Sequence, residues 1–130
     1  MDPWLYVQST GKLYRPDGSL AGSGYSGVGT GLNNPAMQDV KNVGPIPVGL
    51  YSLGEVSNEK GPLTIRLNPS SSNEMHGRDG FLVHGDNHLM NHTASEGCII
   101  MPNATRQELS ASMEKILKVI AQPAPQGIPT

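Results

Sequence analysis

A mainly β fold, built from short strands joined by tight turns, is what this sequence predicts. Three observations carry that expectation. Glycine (16) and proline (11) are both well above average usage, and they punctuate short apolar segments along the 130 residues. Charged residues make up only 15% and the formal net charge is −2, whereas a disordered chain would show more charge and fewer β-formers. Pro62-Leu-Thr-Ile-Arg-Leu67 alternates apolar and polar side chains, the period of a half-buried strand.

The elements follow in order. Trp4-Leu-Tyr-Val-Gln-Ser9 reads as a first strand, Thr10-Gly11 as a turn and Lys12-Leu-Tyr-Arg15 as the returning strand. Pro16-Asp-Gly18 is a strong turn, because Pro presets φ and Gly accepts φ > 0. Leu20 to Tyr25 reads as a third strand weakened by its glycines, and residues 26–38 as a long Gly- and Asn-rich loop of the functional kind. Val43-Gly-Pro-Ile-Pro-Val-Gly49 is a rigid turn that feeds the strand Leu50-Tyr-Ser-Leu-Gly54. Residues 68–73 form a loop, Gly80-Phe-Leu-Val-His84 an apolar strand, residues 85–97 a polar loop, and Cys98-Ile-Ile-Met101 another apolar run. One helix is expected after it. Thr105-Arg-Gln-Glu108 matches a capping box, and Leu109, Met113, Ile116, Leu117 and Ile120 follow at spacings of four, three, one and three, a single apolar stripe. Residues 1–121 are expected to form one domain and residues 122–130 a flexible Pro-rich tail.

Composition also excludes. A single cysteine forms no internal disulfide. Lys and Arg total 9 and do not cluster, so no nucleic-acid footprint is expected. No apolar run approaches the roughly 18 residues that span a bilayer, so membrane insertion is not expected. The opening Met-Asp-Pro-Trp-Leu-Tyr has neither a basic n-region nor a long apolar h-region, so no signal peptide is expected.

The chemistry concentrates on Cys98. A lone Cys is usually a small core hydrophobe, and a histidine at a strand end often bonds only to backbone. Here His84 and Cys98 stand at the two ends of one polar loop, each beside an apolar strand. If those strands pair, thiol and imidazole meet at one rim, as nucleophilic catalysis requires. Gly97 permits close substrate approach and is expected to aim amide N–H groups at an oxyanion, with Ser95 and Glu96 in the wall. An inward Glu96 would raise the thiol pKa, so it is expected to point outward or to meet a cationic substrate amine.

"FLVHGDNHLMNHTASEGCIIM" (81–101) resembles the active-site segment of the L,D-transpeptidase (YkuD-like) fold. Its His-Gly/Ser pair matches His84-Gly85, and its Ser/Thr-His-Gly-Cys matches Ser95-x-Gly97-Cys98. "GYSG" (24–27), "NNPAMQDVKNVGPIPVGLYSLG" (33–54) and "GRDGFLVHGDN" (77–87) resemble one branch of that fold, the peptidoglycan-targeting L,D-transpeptidase effectors of type VI secretion systems. The similarity spans roughly residues 4 to 120. It implies an L,D-transpeptidase-like β-sandwich in which Cys98 is the nucleophile and His84 its base. The reaction on tetrapeptide stems would be L,D-carboxypeptidase cleavage or exchange with D-amino acids, through a thioester, with no cofactor. Gly85, Asp86, Arg78, Tyr25 and Ser26 join Gly97, Ser95 and Glu96 as expected substrate-binding or oxyanion residues. The resemblance further implies a cognate immunity protein, a secretion-apparatus partner, synthesis in the cytoplasm and action in the target's periplasm. Two positions depart from the pattern: Glu96 stands where the second His is usual, and Ile100 where an Arg is common. Arg78 or Arg106 is expected to supply the missing cation.

Two other readings stand beside this one. His84, His88 and His92 recur every four residues, with Asp86, Glu96 and Cys98 near, which suits a zinc hydrolase if the segment is helical. A non-catalytic β module that binds wall glycan or a partner would use the Asn/Gly-rich loop and Tyr14, Tyr25 and Tyr51.

Overall fold

The computed structural model describes residues 2–86 and 95–123. Among them the elements run β1 (Trp4–Val7), β2 (Lys12–Tyr14), β3 (Leu20–Ser23), β4 (Tyr25–Ser26), short 3-10 turns at Gly29–Gly31 and Pro35–Met37, β5 (Gly49–Ser57), β6 (Thr64–Pro69), β7 (Leu82–His84), β8 (Ile99–Ile100), α1 (Asn103–Ala111) and β9 (Ile116–Ile120). The fold is mainly β with one helix, as the turn-rich composition requires.

All nine strands belong to one sheet in the order β3-β2-β1-β9-β5-β6-β7-β8-β4. The two outermost strands, β3 and β4, are consecutive in the chain and separated only by Gly24. A sheet whose opposite edges are one residue apart must curl round on itself. The expected sandwich is thus realised as a single wrapped ladder, which also hides its edges. Gly24 makes the joint possible. Its N–H donates to the Gly11 carbonyl at 2.7 Å. A Cβ at this position would lie 1.6 Å from the Ile100 carbonyl oxygen, where only glycine fits. Inside the curl, Tyr6, Leu13, Ile46, Tyr51, Ile65, Val83, Ile99, Met101, Leu109, Leu117 and Val119 pack with almost no exposure.

The expected C-terminal helix is corrected. Helix α1 stops at Ala111, and residues 116–120 form β9, parallel to β1 and antiparallel to β5. The stripe Leu109, Met113, Ile116, Leu117, Ile120 fitted a helix, but Ile116-Leu-Lys-Val-Ile120 also alternates. Leu117 and Val119 face the core while Lys118 faces out. Strand pairing wins because β9 fills the gap between β1 and β5, and no helix can supply those ladder bonds. Met113, the stripe residue in the link, is 96% exposed. The capping box fails too. Pro102 is the N-cap, the Thr105 hydroxyl bonds to the Ala21 carbonyl of β3, and Glu108 grips Arg15 in a two-point ion pair. The link from α1 to β9 is fixed by Ser112, whose Oγ accepts from the Trp4 indole at 3.0 Å. Leu117→Ala is therefore expected to cost about 2–5 kcal/mol in denaturant unfolding, and Met113→Ala no more than about 0.5 kcal/mol.

The long segment between β4 and β5 is ordered by buried polar anchors. Gln8 Nε2 donates to the Ile46 carbonyl at 2.7 Å, and Gln38 Oε1 accepts the Val48 N–H at 3.0 Å. The Tyr51 hydroxyl donates to the Pro47 carbonyl at 2.7 Å. These bonds hold the Gly-Pro-Ile-Pro-x-Gly turn against the core, where it can brace the turn that carries Cys98. No helix among the described residues is long and apolar enough to cross a membrane.

Candidate active site

Strands β7 and β8 run parallel, with Val83 opposite Ile99 and His84 opposite Ile100. One step back, the same register sets Cys98 opposite Leu82. Side chains alternate across a strand, so Phe81, Val83, Ile99 and Met101 face the core. Leu82, His84, Cys98 and Ile100 then share the opposite face. Cys98 and His84 both line one cleft of about 330 Å³, together with Asn42, Glu59, Lys60, Asp79, Gly80, Phe81, Leu82 and Glu96. Cys98 is half-buried and lines this cleft, whereas His84 is nearly covered.

The tautomer of His84 follows from its partner. Nδ1 lies 2.8 Å from the Gly85 carbonyl oxygen. A carbonyl can only accept, so Nδ1 carries the proton and Nε2 keeps a lone pair. That is the form a general base needs. The Leu82 backbone lies where its N–H steadies a thiolate at Cys98 and lowers the thiol pKa. Catalytic hydrogen bonds often tighten only around bound substrate.

Burial pushes the His84 imidazole below the ordinary histidine value, and Lys60 and Arg106 push it further down, against the Gly85 bond and Asp86. Burial pushes the Cys98 thiol up, and Glu59 and Glu96 add to this, against the Leu82 bond and Lys60. Both directions favour an uncharged thiol and an uncharged imidazole over an ion pair. Alkylation of Cys98 by iodoacetamide is expected to rise with pH to a midpoint above the ordinary thiol value of about 8.5. A plateau already reached near pH 6 would show an ion pair instead.

The turn beneath Cys98 is built by residues the sequence placed at the substrate. Ser95 Oγ donates to the Cys98 carbonyl at 2.6 Å and accepts the N–H groups of Gly97 and Gly27, each at 3.0 Å. Ser26 Oγ donates to the Gly97 carbonyl at 2.8 Å and accepts the Ile46 N–H at 2.9 Å. The Gly97 amide is thus committed to Ser95. Gly97 has φ +136°, and a Cβ there would lie 2.4 Å from Arg78 Nη2 and 2.8 Å from the Phe81 ring.

Arg78 is corrected from substrate binder to internal clamp. It is 5% exposed, and its guanidinium donates to the carbonyls of Gln38, Gly44, Pro45 and Glu96 at 2.6–3.1 Å. It also stacks over Phe81, 5.2 Å from the ring centre. Arg106 Nε donates to the Met101 carbonyl and Nη1 to the carbonyls of Pro62 and Leu63. Neither arginine lines the thiol cleft.

Tyr25, Gly85 and Asp86 line a neighbouring cavity of about 530 Å³ that also holds Arg106. There the Tyr25 hydroxyl donates to Asp86 at 2.7 Å. Glu96 is exposed but lines the thiol cleft, and its charge helps to push the Cys98 thiol up. Tyr25 and Tyr51 are buried, so the aromatic surface of the binding-module reading is not on offer at these two positions. Among the described residues no group of three His, Cys, Asp or Glu could hold a metal ion, and His88 and His92 lie outside the described residues. Sequence reasoning missed Asn42, Glu59, Lys60 and Asp79 as cleft residues. They come from distant turns, and no local pattern marks them.

A wrapped β domain with a thiol and an imidazole sharing one cleft defines a candidate cysteine enzyme. The Tlde1 domain model matches residues 21–122, and the chain belongs to that family. It is a family of type VI secretion effectors. No curated protein and no solved structure matches the chain.

Proposed function

We propose that this protein is an L,D-carboxypeptidase, with L,D-transpeptidase exchange as its companion reaction, acting on peptidoglycan tetrapeptide stems. The observation that carries the proposal is the pair lining one cleft: a half-buried Cys98 and a His84 whose Nδ1 is tied to a carbonyl, leaving Nε2 as base. Nε2 takes the thiol proton as sulfur attacks the carbonyl carbon before the terminal D-alanine. The C–N bond breaks, the imidazolium gives its proton to the departing amine, and the stem remains on sulfur as a thioester. Water then attacks with His84 again as base. The C–S bond breaks, the thiol regains its proton, and a tripeptide stem is released. A D-amino acid amine in place of water gives the exchange product.

The cleft suits such a substrate. Glu59, Asp79 and Glu96 supply negative charge and Lys60 positive charge, so a stem carrying both an ammonium and a terminal carboxylate finds partners of both signs. Because the Tlde1 domain is an effector family, the substrate would be met in the periplasm of a target cell. Delivery by a secretion apparatus, and a cognate immunity protein in the producer, belong to the same proposal.

The test is incubation of purified protein with disaccharide-tetrapeptide, with and without D-amino acids, followed by mass analysis. Loss of one alanine, or exchange of that alanine, is the expected result; an unchanged muropeptide refutes the proposal. Protonation of His84 removes the base, and its pKa is lowered. So kcat/KM is expected to fall on acidification only below about pH 6.5, the ordinary histidine value. An acid limb above that value contradicts the neutral-pair description.

A further inference from the structure

A carboxypeptidase must recognise the free carboxylate at the end of its substrate, or it would cut internal bonds as readily. Neither Arg78 nor Arg106 lines the thiol cleft: Arg78 is clamped on backbone carbonyls, and Arg106, with Nε and Nη1 bonded to carbonyls, faces the neighbouring cavity. Among the described residues that line the thiol cleft, one cation remains, Lys60. Its side chain is exposed, and it forms no ion pair among the described residues.

The geometry points to Lys60 as the residue that binds the terminal carboxylate of the donor stem, an assignment that rests on the proposed function. Lys60 lies in the connection between β5 and β6, in a turn that several bonds pin in place. The Lys60 N–H donates to Thr64 Oγ1 at 3.1 Å, and the same hydroxyl donates to the Gly61 carbonyl at 2.8 Å. Thr64 is fully buried. Arg106 holds the carbonyls of Pro62 and Leu63, and through Met101 ties this turn to the end of β8. The backbone under Lys60 is thereby fixed relative to Cys98, while its flexible side chain stays free to reach a ligand. An exposed ammonium with no ion pair among the described residues, in the same cleft as the thiol, suits a carboxylate one carbon beyond the scissile amide nitrogen. Lys60, Cys98 and His84 line the same cleft.

The experiment compares two substrates, the disaccharide-tetrapeptide acid and the same compound with a terminal carboxamide. The wild-type enzyme is expected to prefer the acid by about tenfold in kcat/KM. Lys60→Ala is expected to lose about tenfold on the acid, chiefly through KM, and to leave the amide nearly unchanged, so that the preference disappears. Lys60→Arg is expected to keep most of it. Equal activity of Lys60→Ala and wild type on the acid, or a parallel loss on both substrates, overturns the assignment while leaving the proposed reaction standing. A wild-type enzyme that cleaves neither substrate refutes the reaction itself, and the assignment with it. Thermal unfolding of Lys60→Ala is expected to match wild type, because the side chain is exposed.

Discussion

Cys98→Ala is expected to reduce muropeptide trimming to background, a loss on the order of 10⁴-fold or more, with the fold intact. In the proposed mechanism the sulfur is the nucleophile, and alanine offers no group that could form the acyl intermediate. Stability should change by only about 1 kcal/mol, because the side chain is small and half-buried at a cleft. The paired readout matters: far-UV circular dichroism and melting should overlay the wild type while turnover vanishes. Undiminished turnover in a folded Cys98→Ala protein would refute the mechanism. His84→Ala should show the same pattern. The two losses should not add, since sulfur and imidazole act as one unit.

Arg78→Ala is expected to be the most damaging single change to stability among the site residues, costing about 3–5 kcal/mol in denaturant unfolding. The guanidinium joins the Gln38, Gly44 and Pro45 carbonyls of one loop to the Glu96 carbonyl of the Cys98 turn. Removing it leaves buried carbonyls without donors and opens the space against Gly97 and Phe81. Arg78→Lys should restore little, since a point-like ammonium cannot span carbonyls that a planar fork reaches together. Activity should fall with stability, because the same clamp sets the height of the sulfur. A stability change within about 0.5 kcal/mol would show that the loop and the turn hold without it.

How much of this was legible in the sequence depends on the range of the interaction. Short-range patterns read well. Lys12 to Tyr14, residues 64–67 and residues 82–84 form strands because alternation and flanking turns are local properties. The segment after Thr105 did not read well. Leu117 and Ile120 fit a helical stripe, and only the vacancy between β1 and β5 makes residues 116–120 a strand. That His84 and Cys98 would line one cleft was visible because two apolar strands flank one loop, and parallel strands put their ends at one rim. Ser26, Ser95 and Arg78 were visible as belonging near Cys98. Their work of holding its turn was hidden, since it depends on carbonyls from residues 38 to 46 that fold back from far away in the chain. Lys60 was hidden for the same reason: nothing near it in sequence points to a thiol 38 positions on.

The account stands or falls on acylation of one sulfur. The direct measurement is the intact mass of wild-type protein quenched in acid shortly after mixing with disaccharide-tetrapeptide. The account predicts an added mass equal to the substrate less D-alanine, mapped by peptide digestion to Cys98 and released by hydroxylamine. Turnover with no such adduct at any quench time, or the same adduct on Cys98→Ala, would contradict it.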